Sequence, residues 1–376
     1  MSKKKTIINI AQTDNVKQPL FFGEDMGLQT YLDFRYENVF DFFKQQLGFF
    51  WRPEEVDISK DRGDFKNLTE HEKFIFTKNL GYQTVLDSVQ GRGIKNITEH
   101  VSNSETEAFC NAWEFVETLH SYSYTYVVKG VYSDANSVFT SIKDDEAIVN
   151  RTKSVTKYYD SLIEGLTSDM DNLSDDEKTH ALKKQLYLTL MSVNILEGIR
   201  FYVSFACSYA FAQNKTMEGN AKIISLINRD ENLHLGFTQF ILNRLLDTKD
   251  EGFQEVIKEC EPIVKKMFED AANEEMDWAD YLFDGFQGET EENTGMLGLN
   301  AEILKRYMKF LTNKRMKALK LEPIFENIKN PIPWINYWTE SKAIQEAPQE
   351  TEKESYVVAS FNNDMNMEDF GSEFDF

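Results

Sequence analysis

The stretch 111-NAWEFVETLHSYSYTYVV-128 decides how the rest of the chain is read. It is apolar and aromatic, yet Glu117 and His120 interrupt it three residues apart. A second stretch, 221-AKIISLINRDENLHLGF-237, repeats the step with Glu231 and His234. On a helix, positions i and i+3 lie one turn apart on the same face. A carboxylate and an imidazole so placed can hold one metal ion. Two such helices facing each other can hold two, given one further carboxylate from each of two more helices.

Asp87 and Glu197 have the right setting to be those carboxylates. Asp87 interrupts 81-GYQTVLDSVQG-91 and Glu197 interrupts 190-LMSVNILEGIRF-201. Each lone carboxylate thus precedes a Glu-x-x-His helix, a weak internal echo. Burying a carboxylate in such surroundings is costly unless it is paired or bound to a cation. Simple ion pairing is the competing reading, and Arg200, one turn beyond Glu197, is the obvious partner. The chain also contains a decoy, Glu177-Lys178-Thr179-His180, in the polar run SDDEKTHALKK; it reads as a solvated first turn of a helix. Asp87, Glu117, His120, Glu197, Glu231 and His234 together supply four negative charges, enough to balance two divalent cations. Their mixed oxygen and nitrogen ligands suit iron or manganese better than calcium or a structural zinc.

Tyr124 lies four residues beyond His120 on the same helical stripe, so its phenol is expected near the metals. Tyr122 and Tyr126 should point elsewhere. Phe201, Phe205 and Ile227 stand at helical spacing from Glu197 and Glu231 and can wall Tyr124 off from water, although ordinary core packing explains them equally well.

The whole chain has 376 residues, 41% of them hydrophobic, enough for a sizeable core. Its net charge of −22 argues against nucleic acid as a partner, because phosphates would be repelled. No stretch of 18 apolar residues without charge appears, so a membrane span is not expected, and the lysine-bearing N-terminus has no apolar region of a signal peptide. Three scattered cysteines, with no C-x-x-C pair, fit a reducing cytoplasm and offer no evident dithiol for redox work.

Periodicity predicts an all-α chain. Helices are expected over 31–51, 70–89, 105–128, 181–212, 217–246, 253–283 and 301–318, the second ending at Gly91 and Gly93. The helix over 181–212 is apolar nearly all round, so it should be central and buried. Gly198, after Glu197, should loosen it locally. Residues 285–298 read as a loop. Residues 1–340 are expected to form one helical domain. Residues 341–376 hold nine acidic residues against two lysines and read as a flexible tail, with aromatics, Tyr356 among them, able to dock on a partner.

Beyond these patterns, the chain resembles the small (beta) subunits of class I ribonucleotide reductases, of the class Ia type, over nearly its whole length. The resemblance is carried by QLGFFWRPEEVDIS (46–59), NLGYQTVLDSVQGR (79–92), WEFVETLHSYSYT (113–125), LYLTLMSVNILEGIRFYVSFACS (186–208), MEGNAKIISLINRDENLHL (217–235), DWADYLF (277–283) and NPIPWINYW (330–338). It is weakest over 130–180 and 284–298. It implies a ferritin-like helical bundle with additional helices around a di-iron site, two iron ions per chain, with manganese an accepted substitute. Asp87, Glu117 and His120 would hold one ion, and Glu197, Glu231 and His234 the other. Tyr124 would be oxidised to a stable radical when the reduced site meets dioxygen, and Phe201, Phe205 and Ile227 would shield it. Trp51 would deliver an electron during activation, hydrogen-bonded to Asp230 beside His120. Tyr356, with Glu350 nearby, would relay the radical to the large (alpha) subunit, on which the tail docks. That subunit would carry the nucleotide sites and redox cysteines, and the beta subunit would be a homodimer.

Three other readings use the same ligands: iron storage or ferroxidase activity, an oxygen-activating hydroxylase or desaturase, and a non-catalytic regulatory paralogue. The first has no use for Trp51, Tyr124 or Tyr356. The second needs an organic substrate beside the metals. The third has no reason to keep six ligands and the tyrosine.

Overall fold

Local sequence signals start most of the long helices. In a computed structural model, which describes residues 6–12, 14–167, 173–286 and 298–339, helix α1 spans Glu37–Gly48, α2 Asp61–Asn67, α3 Glu70–Thr98 and α4 Ser104–Val131. Helices α5 (Ala135–Lys143), α6 (Glu146–Thr167) and α7 (Asp175–Ile195) follow. A single π-helical turn, Leu196–Arg200, joins α7 to α8 (Tyr202–Gln213). Then come α9 (Glu218–Asp247), α10 (Gln254–Phe283), α11 (Ala301–Ala318) and the short α12 (Asn336–Thr339). Thr69 with Glu72 and Ser174 with Glu177 form capping boxes at the starts of α3 and α7. Asn103 accepts the Thr106 amide at the start of α4. Each such cap contributes about 1 kcal/mol. Among the described residues there is no strand, only a bridge between Phe21 and Val101.

Helix α9 has no cap of its own. It starts from Met217 in the left-handed region (φ 52°). Its first amides are taken by α2: Asp61 accepts from Gly219 (3.1 Å) and Asn220 (2.6 Å), and Asp64 accepts from Met217 (3.0 Å). A side chain at Gly219 would meet the Asp57 carbonyl at 2.7 Å, so this close approach needs glycine.

Helix α3 packs along α4, α1 lies on α4 and α9, and α7, the π turn and α8 lie on α9. The segment Asp175–Gln213 is apolar enough to span a membrane by composition, but its apolar window is wholly buried in the core. That agrees with the expectation of a central helix, and the π turn falls at Gly198, where loosening was expected.

Several helix boundaries differ from the sequence reading, among them the start of α7, at Asp175 rather than 181. Helix α3 does not stop at Gly91 and Gly93 but runs to Thr98. These glycines permit packing rather than ending the helix. A Cβ at Gly91 would lie 3.2 Å from the Glu117 Cβ, and one at Gly93 would collide with the ring of Tyr159 on α6. Helix α1 begins only at Glu37, because buried Glu105 accepts the amides of Arg35 (2.9 Å) and Tyr36 (3.2 Å) and holds that backbone out of the helix. It ends before Arg52, which is extended ahead of Pro53. The tail, with Glu350 and Tyr356, lies outside the described residues, as does most of the 285–298 segment.

Candidate metal centre

Four elements deliver the six expected ligands to one place. Helix α3 brings Asp87, α4 brings Glu117 and His120, the π turn brings Glu197, and α9 brings Glu231 and His234. All six are fully buried. Their ligand atoms form two overlapping groups, Asp87–Glu117–His120–Glu231 and Glu117–Glu197–Glu231–His234, each with its atoms within 4.8 Å of one another. Glu117 and Glu231 belong to both groups, so two ions held there would share them.

The donor set fits two such cations. Both carboxylate oxygens of Asp87, one oxygen each of Glu117, Glu197 and Glu231, and Nδ1 of His120 are buried without a hydrogen-bond partner. Buried polar atoms rarely go unpaired, and one left so costs about 1–3 kcal/mol. Here they converge on one another, which is what cations would satisfy.

Each imidazole has one nitrogen turned into the cluster and one turned away from it. His120 Nδ1 faces Glu231 (3.1 Å), and its Nε2–H donates to Asp230 Oδ2 (3.1 Å). The same Asp230 oxygen accepts from Trp51 Nε1 (2.9 Å), giving the expected Trp51–Asp230–His120 chain. His234 Nδ1 faces Glu231 (2.9 Å) and Glu117 (3.2 Å). Such contacts fix which imidazole nitrogen is free to bind metal.

Three contributors escaped the sequence reading. Gln46 accepts from His234 Nε2 (3.0 Å) and donates to Asp230 (3.2 Å), tying the outer sides of both histidines together. Its signal was there: it continues the buried stripe Val39–Phe42–Gln46, where an apolar residue is expected. Trp113 Nε1, one turn before Glu117, donates to it (2.8 Å). Gln90 donates to Glu197 and accepts from Tyr159 (2.6 Å).

The competing ion-pair reading of Glu197 fails, because Arg200 turns away to Glu274 (2.7 Å). The decoy behaves as expected: Glu177 caps its own helix and His180 pairs with Glu259 at the surface.

Tyr124 is fully buried, and its hydroxyl makes no hydrogen bond. Burial, then the Asp87 charge, pushes its pKa well above the usual phenol value. Tyr122 and Tyr126 point elsewhere, to Glu54 and the Val56 carbonyl. Phe201 and Phe205 stack on each other (5.4 Å) and, with Ile227, are fully buried in the same core as Tyr124.

Without cations the cluster must hold protons. Burial, then the Glu117 charge, raises Asp87 well above the carboxylate range; burial, then the Glu231 charge, does the same for Glu197. Glu231 is pushed up to about 8, by burial first and Glu117 second. Glu117 moves the other way: burial would raise it, but the His120 and His234 imidazoles beside it outweigh that and hold it at about 2. Burial would lower His120, yet the Glu231 charge and its hydrogen bonds raise it well above the imidazole range. Metal ions held by this cluster would have to displace these protons.

Two overlapping carboxylate–histidine groups, buried between long helices, define a di-metal helical bundle of the ferritin-like class. Residues 29–331 match the family model for the ribonucleotide reductase small chain. The chain is 46% identical over 372 residues to a ribonucleoside-diphosphate reductase subunit beta of Buchnera aphidicola, with 96% of each chain covered. It is 44% identical over 379 residues to a ribonucleoside-diphosphate reductase 1 subunit beta of Escherichia coli O157:H7, with 98% of each covered. A solved ribonucleotide reductase R2 subunit from Clostridium botulinum superimposes with a TM-score of 0.74 at 27% identity, covering 90% of this chain and 98% of that one. The chain belongs to the ribonucleotide reductase small-chain family.

Proposed function

We propose that the buried cluster holds two iron ions and that Tyr124 beside it is oxidised to a stored radical. The chain is the beta subunit of a ribonucleoside-diphosphate reductase, an oxidoreductase that works with a large subunit. The observation that carries the radical reading is the pair of ligand groups sharing Glu117 and Glu231 next to a fully buried Tyr124. Bound there, iron supplies the electrons that activate dioxygen.

The chain's own residues set the conditions. Asp87, Glu117, Glu197 and Glu231 neutralise two divalent charges, and His120 and His234 complete the two coordination sets. Asp230 fixes His120 and accepts from Trp51, so an electron from Trp51 has a hydrogen-bonded route to the centre. On oxidation Tyr124 would give its electron to the metal pair and its proton to a base beside its hydroxyl, where Asp87 lies, since burial strongly disfavours a phenolate. Phe201, Phe205 and Ile227 keep water away from the ring. Tyr356, assisted by Glu350, passes the oxidising equivalent to the large subunit when the tail docks. The beta subunit works as a cytoplasmic homodimer.

Anaerobic loading with Fe(II) followed by exposure to air tests this. Electron paramagnetic resonance should show a tyrosyl doublet coupled to an oxidised iron pair. Tyr124→Phe should keep its iron and lose both the doublet and nucleotide reduction. Reductase activity sustained in that variant rejects the radical role.

A further inference from the structure

The π turn that presents Glu197 is held by a side chain far away in sequence. Arg315, on α11 and only 2% exposed, donates from Nε to the Gly198 carbonyl (3.1 Å). Its Nη2 donates to the Tyr202 hydroxyl (2.8 Å), and the guanidinium lies over the Tyr202 ring (5.3 Å). Tyr202 in turn donates to Asn232 Oδ1 (3.1 Å). Asn232 follows Glu231 directly, and its amide donates to the Thr339 carbonyl (3.0 Å).

A π turn shifts the backbone ladder by one residue, and such turns often occur at functional sites. Here one arginine grips the carbonyl next to Glu197 and, through one phenol, the residue next to Glu231. A Cβ at Gly198 would press on the Arg315 stem at 3.3 Å, so glycine at this position lets the arginine approach. Glu197 lies in only one of the two ligand groups; Gln90 holds one of its oxygens and the other has no partner, so its placement depends on that amide and on the backbone that carries it. We propose that Arg315, acting through the Gly198 carbonyl and Tyr202, is a positioning residue for the backbone that carries Glu197, and so governs the ion of the Glu197–His234 group more than the other. This rests on the di-metal reading above.

The test is anaerobic Mn(II) or Fe(II) titration of the full-length protein, with metal content per chain and thermal melts of the metal-free form. Wild type should take up two ions. Arg315→Met, which keeps an apolar stem, should take up one ion normally and bind the second about 10–100-fold more weakly, the range seen when an outer partner of a ligand is lost. Arg315→Lys can keep one of the two hydrogen bonds and should recover part of that loss. Tyr202→Phe keeps the ring, guarding against misfolding of the arginine variants, and should show a smaller loss at the same ion. Two ions bound with wild-type affinity in both Arg315→Met and Tyr202→Phe would overturn the assignment. So would equal weakening of both ions with a lowered melt in both variants, since that marks general loosening. A wild-type protein that binds no metal pair would instead remove the di-metal reading itself.

Discussion

Replacing Gly93 by alanine sets helix propensity against packing. In mid-helix the change should stabilise by about 1 kcal/mol. At Gly93 the new Cβ would lie 2.8 Å from Cδ1 of Tyr159, with Cε1 and Cζ nearer still. Tyr159 is 4% exposed, so its ring has little room to retreat. Overpacking of this kind costs about 1–3 kcal/mol. Moving the ring also breaks the Tyr159–Gln90 hydrogen bond and leaves the buried Gln90 oxygen unpaired, costing about 1–3 kcal/mol more. The two losses exceed the gain, so Gly93→Ala should destabilise by about 1–5 kcal/mol. Gly63→Ala in α2 is the control: nothing lies within 4 Å of its Cβ, so only the propensity gain should appear. Urea unfolding of the metal-free variants measures both. Because Gln90 also holds Glu197, Gly93→Ala should weaken the ion of the Glu197 group as well. In a Tyr159→Leu background the two closest ring atoms and the Gln90 hydrogen bond are already gone, so Gly93→Ala should cost much less there. Gly93→Ala as stable as wild type, or more stable, would refute the reasoning.

Other consequences are open to measurement. Asp87, Glu197, Glu231 and His120 all have raised values in the metal-free fold, so the stability they contribute is present at low pH and lost as pH rises through those values. Protons then compete less with metal, and the melting-temperature gain from Mn(II) should grow between pH 5.5 and 8; a gain that shrinks would contradict the proton displacement. Asp230→Asn should weaken metal binding about 10–100-fold by releasing His120, as read by anaerobic titration. Gln46→Leu leaves Asp230 Oδ1 and His234 Nε2 without their partner and should cost about 1–3 kcal/mol in denaturant unfolding; an unchanged midpoint would show that the tie carries no energy.

Much of this centre was legible in the sequence, because helical spacing is a local property. Glu117, His120 and Tyr124 share a face through the 3.6-residue period alone, and so do Glu231 and His234. Apolar neighbours separated both steps from the solvated Glu177–His180 decoy. The all-α class and the burial of Glu197 in a central helix followed from the same periodicity. What sequence could not fix was set by neighbours distant along the chain. Gly91 and Gly93 look like a helix end until α4 and α6 are seen pressing on them. Gln46 gains its meaning from two partners more than 180 residues away. That Glu117 and Glu231 belong to both ligand groups depends on how α4 and α9 cross, which no local spacing encodes. Sequence determined which side chains share a helical face; tertiary packing alone decided which faces meet, because the distances between helices arise only when their surfaces close on one another.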